Sequence, residues 1–486
     1  MLVAFAAPAC NLISTSQVET VNASVPPWKT WGVLGEQRLV VICTEFSDVT
    51  HSVNKQTIEN RLNNMAKYFE DISFSKVDIN ITFFGDHWER LNNTMAYYGN
   101  GSYSEDNRSL QFIADSLKAW KGYVNFSNYD YVIIIHAGED QSSNINETEL
   151  LWRQSFFHYG HSEKRNFTVD GVRYSFWGVA YDSEFEEWGL IAHEMGHNLG
   201  LPNLYIVNET QPMDKLSLMA SGDRNGLPEG TLPASIEGFG MFMLGWAQPQ
   251  ETSLNVTENF LVMIPLEYSS PSLLRINLTE STYYLVEIRE KTGYDEDAVD
   301  STKLVVWLID ENRPSGNGPA VVCSSGKLSE GQIYSDKPNE VFIKFISFNS
   351  TTHKAYVGLS SNMLFVDLDF PDSVQASSIN GTIRIYDSNN NPAQNFDFNM
   401  FVDNSAFSQS TDEKGEANVN IGELNPGLHT IQVLSPQFLA GELETTIQVI
   451  APEGAVPWNT IAVIAIAVMV IVIVIVILLI LSTKRR

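Results

Sequence analysis

Cysteine is scarce: the 486 residues contain three, Cys10, Cys43 and Cys323. That number excludes a disulfide framework and a cysteine-rich zinc module. A single Cys43–Cys323 bridge is allowed but nothing in the sequence implies it. Cys43 lies in an apolar strand run, so a buried free thiol is expected there. Basic charge is also short, with 30 Lys and Arg against 58 Asp and Glu, a formal charge of −28. Such a surface repels phosphate backbones and excludes a nucleic-acid partner. The acid is dispersed rather than gathered in a tail, which reads as a solvated exterior. No internal repeat or low-complexity tract is present.

Long hydrophobic runs are missing too, with one exception at the C-terminus. Ile461 to Leu481 is an unbroken apolar stretch of 21 residues, "IAVIAIAVMVIVIVIVILLIL". At about 1.5 Å per residue it matches a hydrocarbon layer ~30 Å thick. Lys484, Arg485 and Arg486 follow, and the positive-inside rule places this short tail in the cytoplasm. The expectation is a single-pass protein of the cell membrane, with everything before the span outside and Trp458 at the outer interface. The N-terminus, "MLVAFAAPAC", has a small-x-small pattern at Ala7-Pro8-Ala9 but lacks the basic n-region and the long apolar core of an ordinary export signal. A truncated start or a lipid-modified Cys10 would each account for it. Thirteen N-x-S/T sequons, from Asn22 to Asn380, all precede the span and suit an exported glycoprotein.

Hydrophobic periodicity orders the rest. "RLVVICTEFSD" (Arg38 to Asp48) reads as a buried strand, and Ile58, Leu62, Met65 and Phe69 have helical spacing. "VDINITFF" alternates as a strand, and "YDYVIIIHAG" is a central strand ending in a turn. Strand, helix, strand, strand and then a further helix is the order of an α+β domain. The stretches "FLVMIPL", "YYLVEIRE", "KLVVWLID" and "EVFIKFISF" mark a β-rich region after it. Short strands punctuated by "NGT", "NNNP", "DEKGE" and "NPG" then resemble a β-sandwich. The expected domains are a leader at 1–35, a catalytic domain at 36–248, a β-rich domain packed on it at 249–360 and an Ig-like sandwich at 361–450. A linker at 451–460, the transmembrane helix at 461–481 and the basic tail at 482–486 complete the chain.

Chemistry concentrates in "GLIAHEMGHNLGLPNLY", Gly189 to Tyr205. Helical positions four apart share a face, so His193 and His197 can offer two imidazoles to one ion. Glu194, beside the first, is placed to act as general base on a water activated by that ion. "FEEWGLIA" reads as an apolar helical lead-in with Phe185, Trp188, Leu190 and Ile191 in the core. Gly200 supplies the left-handed residue that ends the helix. "SLMASG", Ser217 to Gly222, is a tight turn that would set Met219 as a hydrophobic floor beneath the histidines. His136 is expected to be structural, and so are His158 and His161, three apart before a polar loop, with a substrate-cleft role as their alternative. Tyr205 could donate a hydrogen bond near the metal or simply pack.

With these residues in view the chain resembles the immune inhibitor A-like family of zinc metallopeptidases. The likeness runs through "VVICTEFSD", "KYFEDISFSKVDI", "YDYVIIIHAG", "HEMGHNLGLPNLY", "SLMASGDRNG", "YYLVEIREKTGYD" and "VVWLIDENRPSG", roughly residues 38–320. It implies an α+β metzincin-like zinc peptidase domain, followed by β-rich domains and one C-terminal transmembrane helix. The implied activity is that of an extracellular endopeptidase acting on protein or peptide substrates with one catalytic Zn2+. His193 and His197 would be ligands, Glu194 the general base and Met219 the Met-turn residue. A structural Ca2+ is permitted, but no motif indicates one.

The chain departs from the family at Asn203, where the extended motif has aspartate. An amide oxygen is neutral and a poorer zinc ligand than a carboxylate. Three readings stand. Asn203 ligates the metal and the enzyme works; or a carboxylate such as Asp214, Asp223 or Glu237 completes the site; or the chain is an inactive protease-fold protein kept for surface binding or adhesion. Glu186 lies about two turns, ~10 Å, before His193 and is too distant to join the same ion.

Overall fold

The computed structural model describes residues 31–451, apart from 100–105, 107, 142–146, 148, 206–214, 253–258, 269–270, 317, 362, 376–377, 388, 404, 435–438 and 442. The apolar run at 461–481, the leader and Cys10 therefore lie outside the described residues. Among the described residues, no helix is long and apolar enough to cross a membrane. The chain divides into two compact units, Met1–Ser361 and Asn362–Arg486.

The first unit begins with a six-stranded sheet. β1 (Gly35–Glu45) pairs in parallel with β2 (Val77–Phe83), with the short β3 (Glu89–Arg90) and with β4 (Tyr131–His136). β4 continues in parallel to β8 (Gly178–Ser183), and β5 (Gln154–Phe157) closes that edge antiparallel to β8. A small hairpin, β6 (Arg165–Val169) and β7 (Val172–Phe176), stands apart from the sheet. β1 and β4 are continuous apolar runs because both of their faces are covered.

The helix between β1 and β2, α1 (Lys55–Ile72), starts at an Asn54 cap whose side chain accepts the Thr57 N–H. It buries Ile58, Leu62, Met65 and Phe69, the positions that its spacing predicts. Two further helices, α2 (Met95–Tyr98) and α3 (Ser109–Trp120), precede β4. After β8 come α4 (Trp188–Asn198), which lies on β5 and β8 and against α1, and later α5 (Gly238–Met243).

The region after α5 is built into the same unit. β9 (Pro249–Thr252) leads to β10 (Asn259–Met263), β11 (Leu273–Asn277), β12 (Thr282–Arg289), β13 (Lys303–Asp310) and β14 (Ala320–Leu328). β15 (Ile333–Asp336), β16 (Val341–Asn349) and β17 (Lys354–Ser360) complete it. One sheet runs β14-β13-β12-β11-β9 and the other β10-β17-β16-β15. Strand alternation sends the first sheet's residues to two different cores. Leu273, Tyr283, Leu285, Val305 and Trp307 join the core of the peptidase sheet. Leu274, Tyr284, Val286, Leu304 and Val306 face the second sheet. One sheet is thus shared by two cores, which welds this region to the α+β layer.

The second unit, taken by itself, pairs a four-stranded with a five-stranded sheet around Val366, Ile383, Ile385, Met400, Ile431 and Ile447. Cys43 and Cys323 are both buried in separate cores, and no disulfide joins them.

One expectation fails at the helix entry. Phe185 is 46% exposed, and α4 begins only at Trp188. The preceding residues form a turn, in which the Phe185 N–H donates to the Ser183 hydroxyl at 3.0 Å. The Glu184 carboxylate accepts from the backbone N–H groups of Ser52, Val53 and Gly138. A side chain so engaged in gathering loops fixes an irregular backbone, and Phe185 is left on the outside.

Candidate metal and catalytic site

α4 is buried along its whole length, which makes room for a polar site inside the protein. Its C-terminus closes with paired bonds. The Gly200 N–H donates to the His197 carbonyl at 2.8 Å and the Leu201 N–H to the Gly196 carbonyl at 3.1 Å. Gly200 at φ +99° supplies the left-handed residue that this closure needs. The chain then doubles back, so that Asn203 arrives beside the histidines.

Both imidazoles are oriented from behind. His193 Nδ1 lies 2.7 Å from the Leu218 carbonyl oxygen and His197 Nδ1 2.8 Å from that of Leu201. A carbonyl only accepts, so each Nδ1 carries the proton and each Nε2 keeps its lone pair for another partner. The rings sit edge to face with centroids 4.8 Å apart. Burial, reinforced by Arg153, pushes His193 down to about 3; burial and the neighbouring His193 do the same to His197. Both are neutral across the physiological range.

The Asn203 side chain touches both imidazoles, and its Oδ1 is buried with no partner of ordinary hydrogen-bond geometry. A buried carbonyl oxygen left in that state is costly unless something else fills its lone pairs. Two Nε2 lone pairs and one orphaned amide oxygen form a donor set that a zinc ion fits. Among the described residues, no group of three His, Cys, Asp or Glu side chains gathers to hold a metal.

Of the other carboxylates considered for that seat, Asp223, Glu237 and Glu186 have other partners or neighbours. Asp223 stands behind His193, 3.8 Å from Nδ1 and not on the Nε2 side, and is held by Arg153 at 2.7 Å. Glu237 caps α5 through the Gly240 N–H and accepts from the Ser217 hydroxyl. Glu186 is buried near Arg153. Asp214 lies outside the described residues. Met219 is buried, and a Cβ on Gly196 would come within 2.5 Å of its Sδ, so the thioether lies directly under the helix turn between the two histidines.

Glu194 is 4% exposed, and its Oε2 has no hydrogen-bond partner. Burial pushes its carboxyl up to about 8, with Arg153 pulling the other way. Arg153 is the residue that sequence reasoning missed. Its Nε lies 3.6 Å from Glu194 Oε1, its Nη2 holds Asp223, and its backbone N–H donates to Asp140 at 2.7 Å. Burial works against its charge, but the carboxylates of Asp223 and Glu194 more than compensate, and it stays protonated. A lone arginine between the apolar stretches of "LLWRQSFF" was the available signal. Phe157, at the end of β5, stacks on His197 with centroids 5.1 Å apart and forms a wall of the site.

The remaining histidines are not part of this group. His136 is fully buried with Nδ1 against the Ala137 carbonyl. His161 bonds the Asn198 carbonyl at 2.9 Å and stacks on Trp177, bracing the end of α4. His158 is half-buried, 3.6 Å from Glu163. Tyr205 is half-buried at the edge of the described loop.

Paired imidazoles on one helix turn, a carboxylate beside the first and a methionine beneath define a metallopeptidase-type centre. Residues 122–248 match the family model described as "Immune inhibitor A peptidase M6, catalytic domain", the part of the chain that carries this centre. The pre-pro-metalloprotease PrtV of Vibrio cholerae serotype O1 is 24% identical over 262 residues, 44% of this chain and 28% of its own length. Immune inhibitor A of Bacillus thuringiensis subsp. alesti is 31% identical over 120 residues, 22% of this chain and 17% of its own. The chain therefore spans well under a third of either relative. The extracellular domain of a one-component system from B. thetaiotaomicron is similar at 11% identity with a TM-score of 0.15, covering 38% of this chain and 26% of that one, too slight a likeness to bear on the fold.

Proposed function

We infer that this chain is a zinc-dependent endopeptidase that works outside the cell, tethered by the apolar segment Ile461 to Leu481. The observation that carries the activity is the convergence of two proton-free Nε2 atoms and the Asn203 amide oxygen beside a buried, half-free carboxylate. His193, His197 and Asn203 would hold the ion. When bound, zinc supplies a Lewis acid that acidifies water and polarises the scissile carbonyl.

Glu194 takes the proton of the attacking water on its unpartnered Oε2 and passes it to the leaving amine nitrogen as the C–N bond breaks. Arg153, 3.6 Å away, favours the charged carboxylate that the first transfer needs. Phe157 excludes water along one side of His197. The tether rests on the length and flanks of the C-terminal apolar run, and extraction of the full chain only by detergent is the test of it.

The neutral third ligand favours one rival, an inactive surface protein retaining the fold. Glu194→Ala decides between them. The variant should lose about 10²- to 10⁴-fold in cleavage of an unfolded protein substrate while keeping its zinc. Wild-type protein that neither binds zinc stoichiometrically nor shows chelator-reversible cleavage would leave the binding protein as the answer.

A further inference from the structure

An aspartate at the third position would be drawn to a cation by its charge. An asparagine has no such pull, so its oxygen has to be put in place by the backbone that carries it. That backbone is gripped from the β-rich layer. The Asn203 N–H donates to the Ser315 hydroxyl at 2.9 Å, and the Gly316 N–H donates back to the Asn203 carbonyl at 3.2 Å. Both polar groups of one residue are thus taken by two consecutive residues 112 positions away.

Ser315 and Gly316 lie in the connection between β13 and β14. Gly316 is at φ +76°, a left-handed turn that tips its N–H toward Asn203. The Ser315 hydroxyl also hydrogen-bonds Tyr159, so it is anchored on a second side. From the opposite side the Leu204 N–H donates to the Met219 carbonyl at 2.9 Å. Residue 203 is therefore held between the Met-turn and the β13–β14 connection. Its Oδ1 is left without a partner of ordinary geometry, against the imidazoles.

We propose that Ser315 and Gly316 are positioning residues of the metal centre, holding Asn203 so that its amide oxygen completes the zinc site. The β-rich layer is on this view part of the peptidase rather than an appendage. The proposal rests on Asn203 being the third ligand.

Zinc affinity of the full chain, measured by competition with a chromophoric chelator, tests it, with the visible spectrum of the Co2+-substituted protein as a second readout. Ser315→Ala should weaken zinc binding about tenfold, as loss of an outer support of a ligand does, and should alter the Co2+ bands. Ser315→Thr, which keeps the hydroxyl, should restore both. Asn203→Ala should weaken binding more, and adding Ser315→Ala to it should cost nothing further. Unchanged affinity in Ser315→Ala beside a clear loss in Asn203→Ala overturns the role of Ser315 alone. So does a Ser315→Ala loss that threonine fails to reverse. Full affinity in Asn203→Ala instead overturns the ligand assignment beneath it.

Discussion

The two histidines and the asparagine reach the same point by opposite routes. His193 and His197 are set by one helix turn, their spacing fixed by local geometry and their rings turned by the nearby Leu218 and Leu201 carbonyls. Asn203 is set by contacts with residues far away in the chain, at Met219 through its neighbour Leu204 and at Ser315 and Gly316. Where a ligand carries charge or sits on a helix, local sequence suffices to place it. Where it is neutral and on a loop, tertiary structure has to do so.

The largest effect should come from breaking the local half. On the proposed ligand set, His197→Ala removes one of three donors from a site already short of charge, and the protein should lose stoichiometric zinc and all measurable proteolysis. Metal analysis after gel filtration checks this. Retention of one zinc per chain would mean that the ion sits elsewhere.

The carboxylates beside the histidines have ionic support from Arg153, and removing it tests stability rather than ligation. Arg153→Met would leave Asp223 and Glu194 buried without their cation, a change expected to cost about 3–5 kcal/mol. Urea unfolding of the zinc-stripped variant against zinc-stripped wild type measures it. A loss under 1 kcal/mol would show that water reaches these carboxylates after all.

The comparison also explains what could be read in advance. The central strands, α1, the His193–Glu194–His197 turn and the Gly200 stop were legible because each rests on periodicity or a local backbone demand. The position of α4's start was not, because Glu184 spends its carboxylate on three loop N–H groups and overrides the apolar pattern that Phe185 suggests. Arg153 and Ser315 were illegible for the same reason as the Asn203 grip. The ion-pair partners of the Arg153 side chain and the Asn203 partner of Ser315 are 41 or more residues away, and nothing in their own neighbourhood announces them. In β12, alternation announced two faces, but not that Glu287 and Arg289 would sit on the peptidase side. There Arg289 donates to the Leu216 carbonyl at 2.8 Å and braces the approach to the Met-turn.

The pH dependence of stability is the most diagnostic for Glu194. In the metal-free protein burial holds its carboxyl at about 8, against about 4.5 unfolded. A folded value above the unfolded one means that the stability is whole below pH 4.5 and is lost as pH rises toward 8. Glu194→Gln stays neutral throughout. In chelator-treated samples the variant should therefore gain on wild type by at most about 1.4 kcal/mol per pH unit across that window and level off above it. Zinc reverses the logic, since a cation near the carboxylate favours its charged form. With zinc restored the slope between the two proteins should flatten. A pH-independent gap in the stripped proteins would show that Glu194 is already ionised there and that Arg153 alone settles its charge.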